Sequence, residues 1–138
     1  MTTIKEKENA LKLVEEGAEK NIGEVRHIEA LEIGQGVRQG DIYIHCVKDS
    51  HAHGKELQSR QLAMGETQGS RHILEGDALV MAGTTAPEWA PKALLGPLVK
   101  LLKRCIVTHP EHAHVNLPAG TYQITHQMDA RTLERVRD

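Results

Sequence analysis

The segment THPEHAH, residues 108–114, concentrates histidines and a carboxylate just before a strand-like stretch. It holds His109, Glu111, His112 and His114. Imidazole nitrogen binds zinc, iron, nickel and copper, so such a cluster is typical of metal sites. In an extended chain, residues two apart project from the same face, and His112 and His114 would then present two imidazoles to one ion. This spacing predicts a divalent-metal site that holds zinc or another imidazole-binding transition metal.

Further ligands must come from elsewhere in the chain, which has nine histidines in 138 residues. A second His-x-His pair, His51 and His53, has Asp-Ser and Gly-Lys-Glu flanks that indicate a polar loop, so we do not assign it a ligand role. His72 and His109 are the candidates to complete the site. The predicted metal ligands are His72, His109, His112 and His114.

Two glutamates lie beside these histidines and are the predicted catalytic residues. Glu66 and Glu111 could each bind the metal, fix the tautomer of an imidazole, or act as the general base for a metal-bound water. In a strand Glu111 would point away from His112, which favours a supporting role unless Pro110 bends the chain. These roles predict metal-assisted hydrolysis, for which the sequence indicates no substrate.

Nucleophilic chemistry has weaker support. Cys46 adjoins His45, but adjacent strand residues point to opposite faces, so the two cannot form a dyad directly. Two other nucleophile–histidine pairs come without an oxyanion-hole signature; they are Cys105 with His109 and Ser70 with His72.

The elements that must position these residues are mostly strands. Residues 4–20 have helical periodicity and predict an N-terminal α-helix, and residues 24–127 predict a β-rich body. DIYIHCV is the clearest strand. Residues 73–81 fit either one strand or a hairpin that turns at Glu75-Gly76-Asp77. Residues 94–108 fit both a helix and a strand. The predicted fold is therefore mainly β, an antiparallel β-roll or barrel-like body with an N-terminal α-helix, in a single domain over residues 1–138.

Composition narrows the classes of function. The formal net charge is −2, and the aromatic residues are one Trp, two Tyr and no Phe, which predicts neither a phosphate-backbone nor a base-stacking partner. No apolar stretch is long enough to span a bilayer, and the charged start has no signal-peptide core, so we expect a cytoplasmic protein without a membrane partner. Cys46 and Cys105 lie in apolar runs and predict buried thiols.

Three motifs resemble a family of small uncharacterised bacterial and phage-type proteins. The family carries QGD, G-E-x-T-G-H-x-H and H-x-E-H…L-P-x-G-x-Y-x-V-x-x-Q segments. The similar stretches here are Gln39-Gly40-Asp41, then Gly65, Glu66, Gly69 and His72, and then His109, Glu111, His112, Leu117, Pro118, Gly120, Tyr122 and Gln127.

The resemblance covers roughly residues 37–127 and implies that LVKLLKRCIVTH is a strand leading into HPEH. It implies no function. Ser70 stands where the family pattern has a histidine, so a ligand at that position is lost here unless His114 replaces it. A likeness to cupins is weaker, because Glu56 follows too soon after His53 and His126 comes too late after Gly120.

Two classes of function follow from the sequence. The first is a small β-rich protein with a histidine-based divalent-metal site. The alternative is a non-catalytic oligomeric or protein-interaction module, in which the helix and the Leu-rich residues 94–102 form a homo-oligomer or contact a protein partner. Metal content discriminates between the two.

Overall fold

The computed structural model describes residues 24–63, 68–82 and 94–127, and these form a mainly β structure. The predicted helix over residues 4–20 lies outside the described residues. Alternating apolar side chains and β-branched residues account for nine strands. In chain order they are β1 Val25–His27, β2 Gly36–Gln39, β3 Ile42–Val47, β4 Ile73–Glu75, β5 Ala78–Met81, β6 Leu95–Leu101, β7 Cys105–Thr108, β8 His114–Leu117 and β9 Gly120–His126. Two short 3₁₀ turns span Asp49–His51 and Gln68–Ser70.

The strands form two sheets, with orders β1-β8-β7-β4 and β2-β3-β9-β6-β5. Every pairing is antiparallel except that of β1 with β8. Five of the connections between successive strands pass from one sheet to the other, and three of them are only two or three residues long. These short connections join β4 to β5, β6 to β7 and β8 to β9. The chain therefore turns a tight corner between the sheets at these three places. Residues 73–81 form two short strands in different sheets, separated by a bend at Gly76-Asp77, and so are neither one regular strand nor a hairpin. This arrangement confirms the β-rich prediction.

Residues 94–108, which the periodicity left open, form strands β6 and β7. Pro97 lies inside β6, where it cannot donate to a neighbouring strand. The structure accommodates it with a register shift between Leu95 and Leu98. The side-chain amide of Gln123 on β9 donates to Gly96 O at 3.0 Å and to Pro97 O at 3.3 Å. The Gln123 side chain thus donates to the backbone carbonyls at the register shift around Pro97.

The core lies between the two sheets. Ile42, Ile44, Val115 and Ile124 are fully excluded from solvent. Val99 and Leu101 belong to the same cluster, so the Leu-rich segment proposed above as a partner surface packs mostly inside its own chain. Leu102, at 49% exposure, is the exception. Burying a Leu or Ile side chain contributes about 1.5–3 kcal/mol, so this cluster is the main stabilising element.

Two of the tight corners lie close together: the β4–β5 corner at Gly76-Asp77 and the β6–β7 corner at residues 102–104, which Cys105 follows. Gly76 has a φ of 128°, and a Cβ built there would lie 2.7 Å from Cys105 Sγ. The Leu102 amide donates to Asp77 O at 2.9 Å and connects the same corners. Close approach and left-handed backbone both require glycine here.

We expect Gly76→Ala to lower the free energy of unfolding by about 2–4 kcal/mol, from backbone strain of about 1–3 kcal/mol together with the clash. Gly34 is the matched control, since its φ is 96° and a Cβ there meets nothing within 4 Å. Gly34→Ala therefore reports strain alone. Equal urea midpoints for the two variants would contradict the close contact with Cys105. Adding Cys105→Ala to the Gly76→Ala variant is expected to restore part of the lost stability.

Residues 55–62, which follow the first 3₁₀ turn, run along the outer edges of β4 and β5. Leu62 N donates to His72 O at 2.8 Å, and Leu57 N donates to Val80 O at 2.7 Å. On the other side of the body, β1 and β2 are the remaining sheet edges. Arg26 Nη1 donates to Arg38 O at 2.8 Å and links them. Backbone pairing therefore covers the edges of β4 and β5, and the Arg26 side chain bridges those of β1 and β2.

Candidate functional site: a buried histidine network

The β2–β3 hairpin carries two buried polar side chains toward the interior. Its two-residue turn is Gly40-Asp41, and Gly40 has a φ of 57°, a value that glycine adopts at little cost. Gln39 is 2% exposed and Asp41 is 1% exposed. Buried polar groups must be hydrogen-bonded, and both residues meet the same histidine.

That histidine is His72, which is fully buried just before β4. Its Nδ1 lies 2.8 Å from Gln39 Oε1, and its Nε2 lies 2.9 Å from Asp41 Oδ1. Both ring nitrogens are therefore engaged by side chains of the hairpin. A metal ion could reach either nitrogen only if one of these hydrogen bonds broke.

The orientation of the Gln39 amide fixes where protons lie. Its Nε2 donates to Val107 O at 2.9 Å and to Ala113 O at 3.0 Å, so its oxygen must face His72. His72 Nδ1 then carries a hydrogen. A second proton lies between His72 Nε2 and Asp41, on the imidazole or on the carboxyl group. The pair carries no net charge with either arrangement, which suits its burial.

The His109 side chain caps the turn formed by residues 109–112. Its Nδ1 accepts hydrogen bonds from the backbone N–H groups of Glu111 at 3.0 Å and His112 at 3.1 Å. Its Nε2 therefore carries the hydrogen, which it donates to Gly69 O at 3.0 Å. Pro110 sets the backbone for the first position of this turn. HPEH is thus a side-chain-capped turn, and both nitrogens of His109 have partners.

Three of the four predicted ligands come together. The ring centroids of His72 and His109 are 4.4 Å apart, and those of His109 and His112 are 4.6 Å apart. We call these three rings the imidazole column. Within the described residues, His114 makes no ring contact with the column. It begins β8, where its backbone N–H donates to Glu24 O.

The two predicted catalytic glutamates have different outcomes. The Glu111 side chain is exposed, and its residue takes part in the site through its backbone N–H. Glu66 lies outside the described residues. Among the residues that the structure describes, no group of three or more His, Cys, Asp or Glu side chains is arranged to hold a metal ion. The metal site and both catalytic roles remain predictions.

Burial lowers the pKa of His109 below its usual value near 6.5. The carbonyl of Gly69 opposes this shift, and the nearby His72 and His112 reinforce it. His109 is consequently neutral at pH 7, in agreement with a ring nitrogen that accepts two backbone hydrogen bonds.

We expect stability to fall as the pH drops below about 6.5. In that range the unfolded chain binds a proton at His109 while the folded chain does not, so one such group gives a slope of up to about 1.4 kcal/mol per pH unit. Urea denaturation between pH 7.5 and 5.5 measures the slope. His109→Asn should reduce it. Equal slopes for wild type and His109→Asn would contradict the assignment.

The nucleophilic alternatives gain no support from the geometry. Burial raises the pKa of both Cys46 and Cys105, with Asp49 and Asp77 acting in the same direction. The thiols therefore stay protonated at pH 7. Cys105 Sγ is directed to backbone carbonyls, at 3.2 Å from Lys103 O. His72 gives Ser70 no support as a general base, because Gln39 and Asp41 already occupy both of its ring nitrogens.

The family motifs coincide with this network. Residues 38–127 match the family model described as "Domain of unknown function (DUF8820)". The chain belongs to this family. Arg38 and Gln127, at the two ends of the DUF8820 region, are joined by a hydrogen bond of 2.8 Å from Arg38 Nη2 to Gln127 Oε1. Neither a curated protein nor a solved structure matches the chain.

The sequence left Gln39 and Asp41 out of the predicted site, although both are in the network. The signal for them was the resemblance of Gln39-Gly40-Asp41 to the family's QGD segment, which implied no role for either side chain. Another family motif position has a structural role as well. Tyr122 Oη donates to Pro118 O at 2.7 Å, and burial raises the pKa of this phenol to about 12.

No helix within the described ranges is long and apolar enough to cross a membrane.

Proposed function

We propose that this DUF8820 protein is a non-catalytic interaction module in which the motif histidines form a polar core. One observation carries the proposal: all four ring nitrogens of His72 and His109 are hydrogen-bonded to groups of the protein. A catalytic or ligating histidine needs a nitrogen that a substrate or metal can reach. A histidine with two internal partners instead stabilises the fold.

A sheet edge is the part of the surface that suits a partner. β1 pairs with β8 on one side, and Val25 at its start is 44% exposed. An edge strand offers backbone N–H and C=O groups to an added strand. A second copy of the chain is the simplest partner, so the proposal includes a homo-oligomer. It also includes a cytoplasmic location, which the two free, buried thiols support.

The test of the polar core is the tautomeric state of its histidines. Long-range ¹H–¹⁵N correlation spectra of the full chain should give His109 as the Nε2–H tautomer and keep that pattern when Zn²⁺ is added. Loss of the His72 and His109 patterns with one equivalent of Zn²⁺ would overturn the proposal.

The test of the oligomer is sedimentation velocity at micromolar concentrations. Val25→Lys should weaken self-association, whereas Leu102→Lys, which also charges an exposed apolar position, should not. A wild-type monomer across the concentration range would remove the homo-oligomer from the proposal.

A divalent-metal protein with hydrolytic activity is the second candidate. The observation that favours it is the imidazole column, which brings His72, His109 and His112 within ring contact of each other. Metal analysis of protein purified without a nickel column tests it. Stoichiometric metal, with a melting temperature that falls on addition of chelator, would favour this candidate over the polar core.

A further inference from the structure

We propose that an open groove at the C-terminal end of β3 binds a small amphipathic carboxylate. The groove has a volume of about 310 Å³, at the lower end of the range for small-molecule sites. It lies away from the imidazole column. Its lining includes Ile33, His45, Cys46, Val47, Lys48 and His51. The inference does not depend on the proposed interaction module.

One wall of the groove is a turn that backbone hydrogen bonds fix to β3. Gln35 N donates to Glu32 O at 2.9 Å and closes the turn around Ile33 and Gly34. Gly34 N donates to Cys46 O at 2.9 Å, and Cys46 N donates to Gln35 O at 2.8 Å. Ile33 is therefore held in place although it is 62% exposed. Covering it with an apolar ligand would remove its surface from water.

A second wall comes from Lys48 and from His51, the last residue of the 3₁₀ turn Asp49–His51. His51 N donates to Lys48 O at 3.0 Å, and Thr121 Oγ1 on β9 donates to Asp49 Oδ1 at 2.7 Å. Both walls are thus bound to the sheet before any ligand arrives. A preorganised site loses less conformational entropy on binding than a mobile one.

His45 also lines the groove, and its partner on β2 is Gly36. A Cβ at Gly36 would lie 3.2 Å from His45 Nδ1 and 2.9 Å from Ile44 O, so a side chain there would crowd the ring. His45 Nε2 lies 3.0 Å from Thr125 Oγ1. Burial lowers the pKa of His45, so the ring is neutral at pH 7.

The charges that line the groove favour an anion. Lys48 supplies an exposed ammonium group and His51 a partly exposed imidazole, while none of the described lining residues is a carboxylate. Asp49 lies outside the lining although its charge acts on the Cys46 thiol, and Thr121 Oγ1 donates to its Oδ1. One cation beside the apolar surfaces of Ile33 and Val47 is complementary to a ligand with one carboxylate and a short hydrocarbon part.

The experiment titrates the full chain with hexanoate at pH 7 and monitors each step by ¹H–¹⁵N correlation spectra. Hexanoate should shift the amides of residues 33–36 and 45–51, whereas hexylammonium and hexanol should bind at least tenfold more weakly. Lys48→Glu and Lys48→Gln should each reduce affinity at least tenfold. Lys103→Glu, at an exposed lysine on another corner, is the matched control and should bind like wild type.

A second pair of variants tests the apolar wall. Ile33→Ser should weaken hexanoate binding at least threefold, and Leu102→Ser, at another exposed apolar side chain, should not. Three results would each overturn the proposal: no shifts at the groove up to millimolar hexanoate, equal binding of hexylammonium, or equal losses for the Lys48 and Lys103 variants. Spectral dispersion of each variant establishes that it is folded.

Discussion

Replacing His72 with leucine is expected to lower the free energy of unfolding by about 3–5 kcal/mol, because it leaves two buried polar side chains without the partner that they share. The substitution removes the imidazole from between Gln39 Oε1 and Asp41 Oδ1, both of which are buried. Asp41 then loses the group with which it shares a proton. Leucine fills a similar volume, so the loss reports the hydrogen bonds more than a cavity.

The control is His114→Leu, at a partly exposed histidine outside the column, which should change stability by less than about 0.5 kcal/mol. In a double-mutant cycle, Asp41→Leu combined with His72→Leu should cost less than the two single changes added together. Urea denaturation at pH 7 measures the four proteins of the cycle and the His114→Leu control. Additive losses would contradict a direct His72–Asp41 interaction.

The second large effect is expected for Gln39→Glu, with a loss of at least about 3 kcal/mol. The carboxylate cannot donate, so Val107 O and Ala113 O both lose their hydrogen bonds from the side chain. An unsatisfied buried group costs roughly 1–3 kcal/mol, and the new buried charge adds to this. The change keeps the size and shape of the side chain, which excludes packing as the cause.

Gln35→Glu is the matched control for this substitution. Gln35 is exposed and its Oε1 accepts from Glu32 N at 2.9 Å, a role that a carboxylate also fills. It should therefore be nearly neutral. The Gln39→Glu variant should recover relative to wild type as the pH falls from 7 toward 5, since a protonated carboxyl group can donate once. A variant as stable as wild type at pH 7 would show that the two carbonyls do not depend on Gln39.

The sequence predicts the strands far better than it predicts the network. DIYIHCV alternates clearly and its last six residues form β3, because the pattern is local and one face must enter the core. Residues 94–108 stayed ambiguous, since Pro97 and the register shift break the alternation. The corners between the sheets are harder still, because Glu75-Gly76-Asp77 has the composition of a hairpin turn and only tertiary pairing directs β5 into the other sheet.

The candidate site shows where spacing stops being informative. His109 and His112 lie three residues apart and do meet, but His109 uses its Nδ1 to cap the turn between them. A pattern of residue types cannot distinguish a histidine that awaits a ligand from one that already has two partners. The QGD resemblance pointed to Gln39 and Asp41, and only the fold brings them to His72.

The long sequence separations within the network also bear on folding kinetics. Gln39 and Asp41 meet a histidine 33 and 31 residues away, and Gln39 contacts carbonyls 68 and 74 residues away. Contacts this distant form only after several loops have closed, so we expect them to be absent from the folding transition state. Substitutions at His72 should then accelerate unfolding while leaving the refolding rate almost unchanged, which chevron plots measure. The polar core would act mainly on how long the folded protein persists.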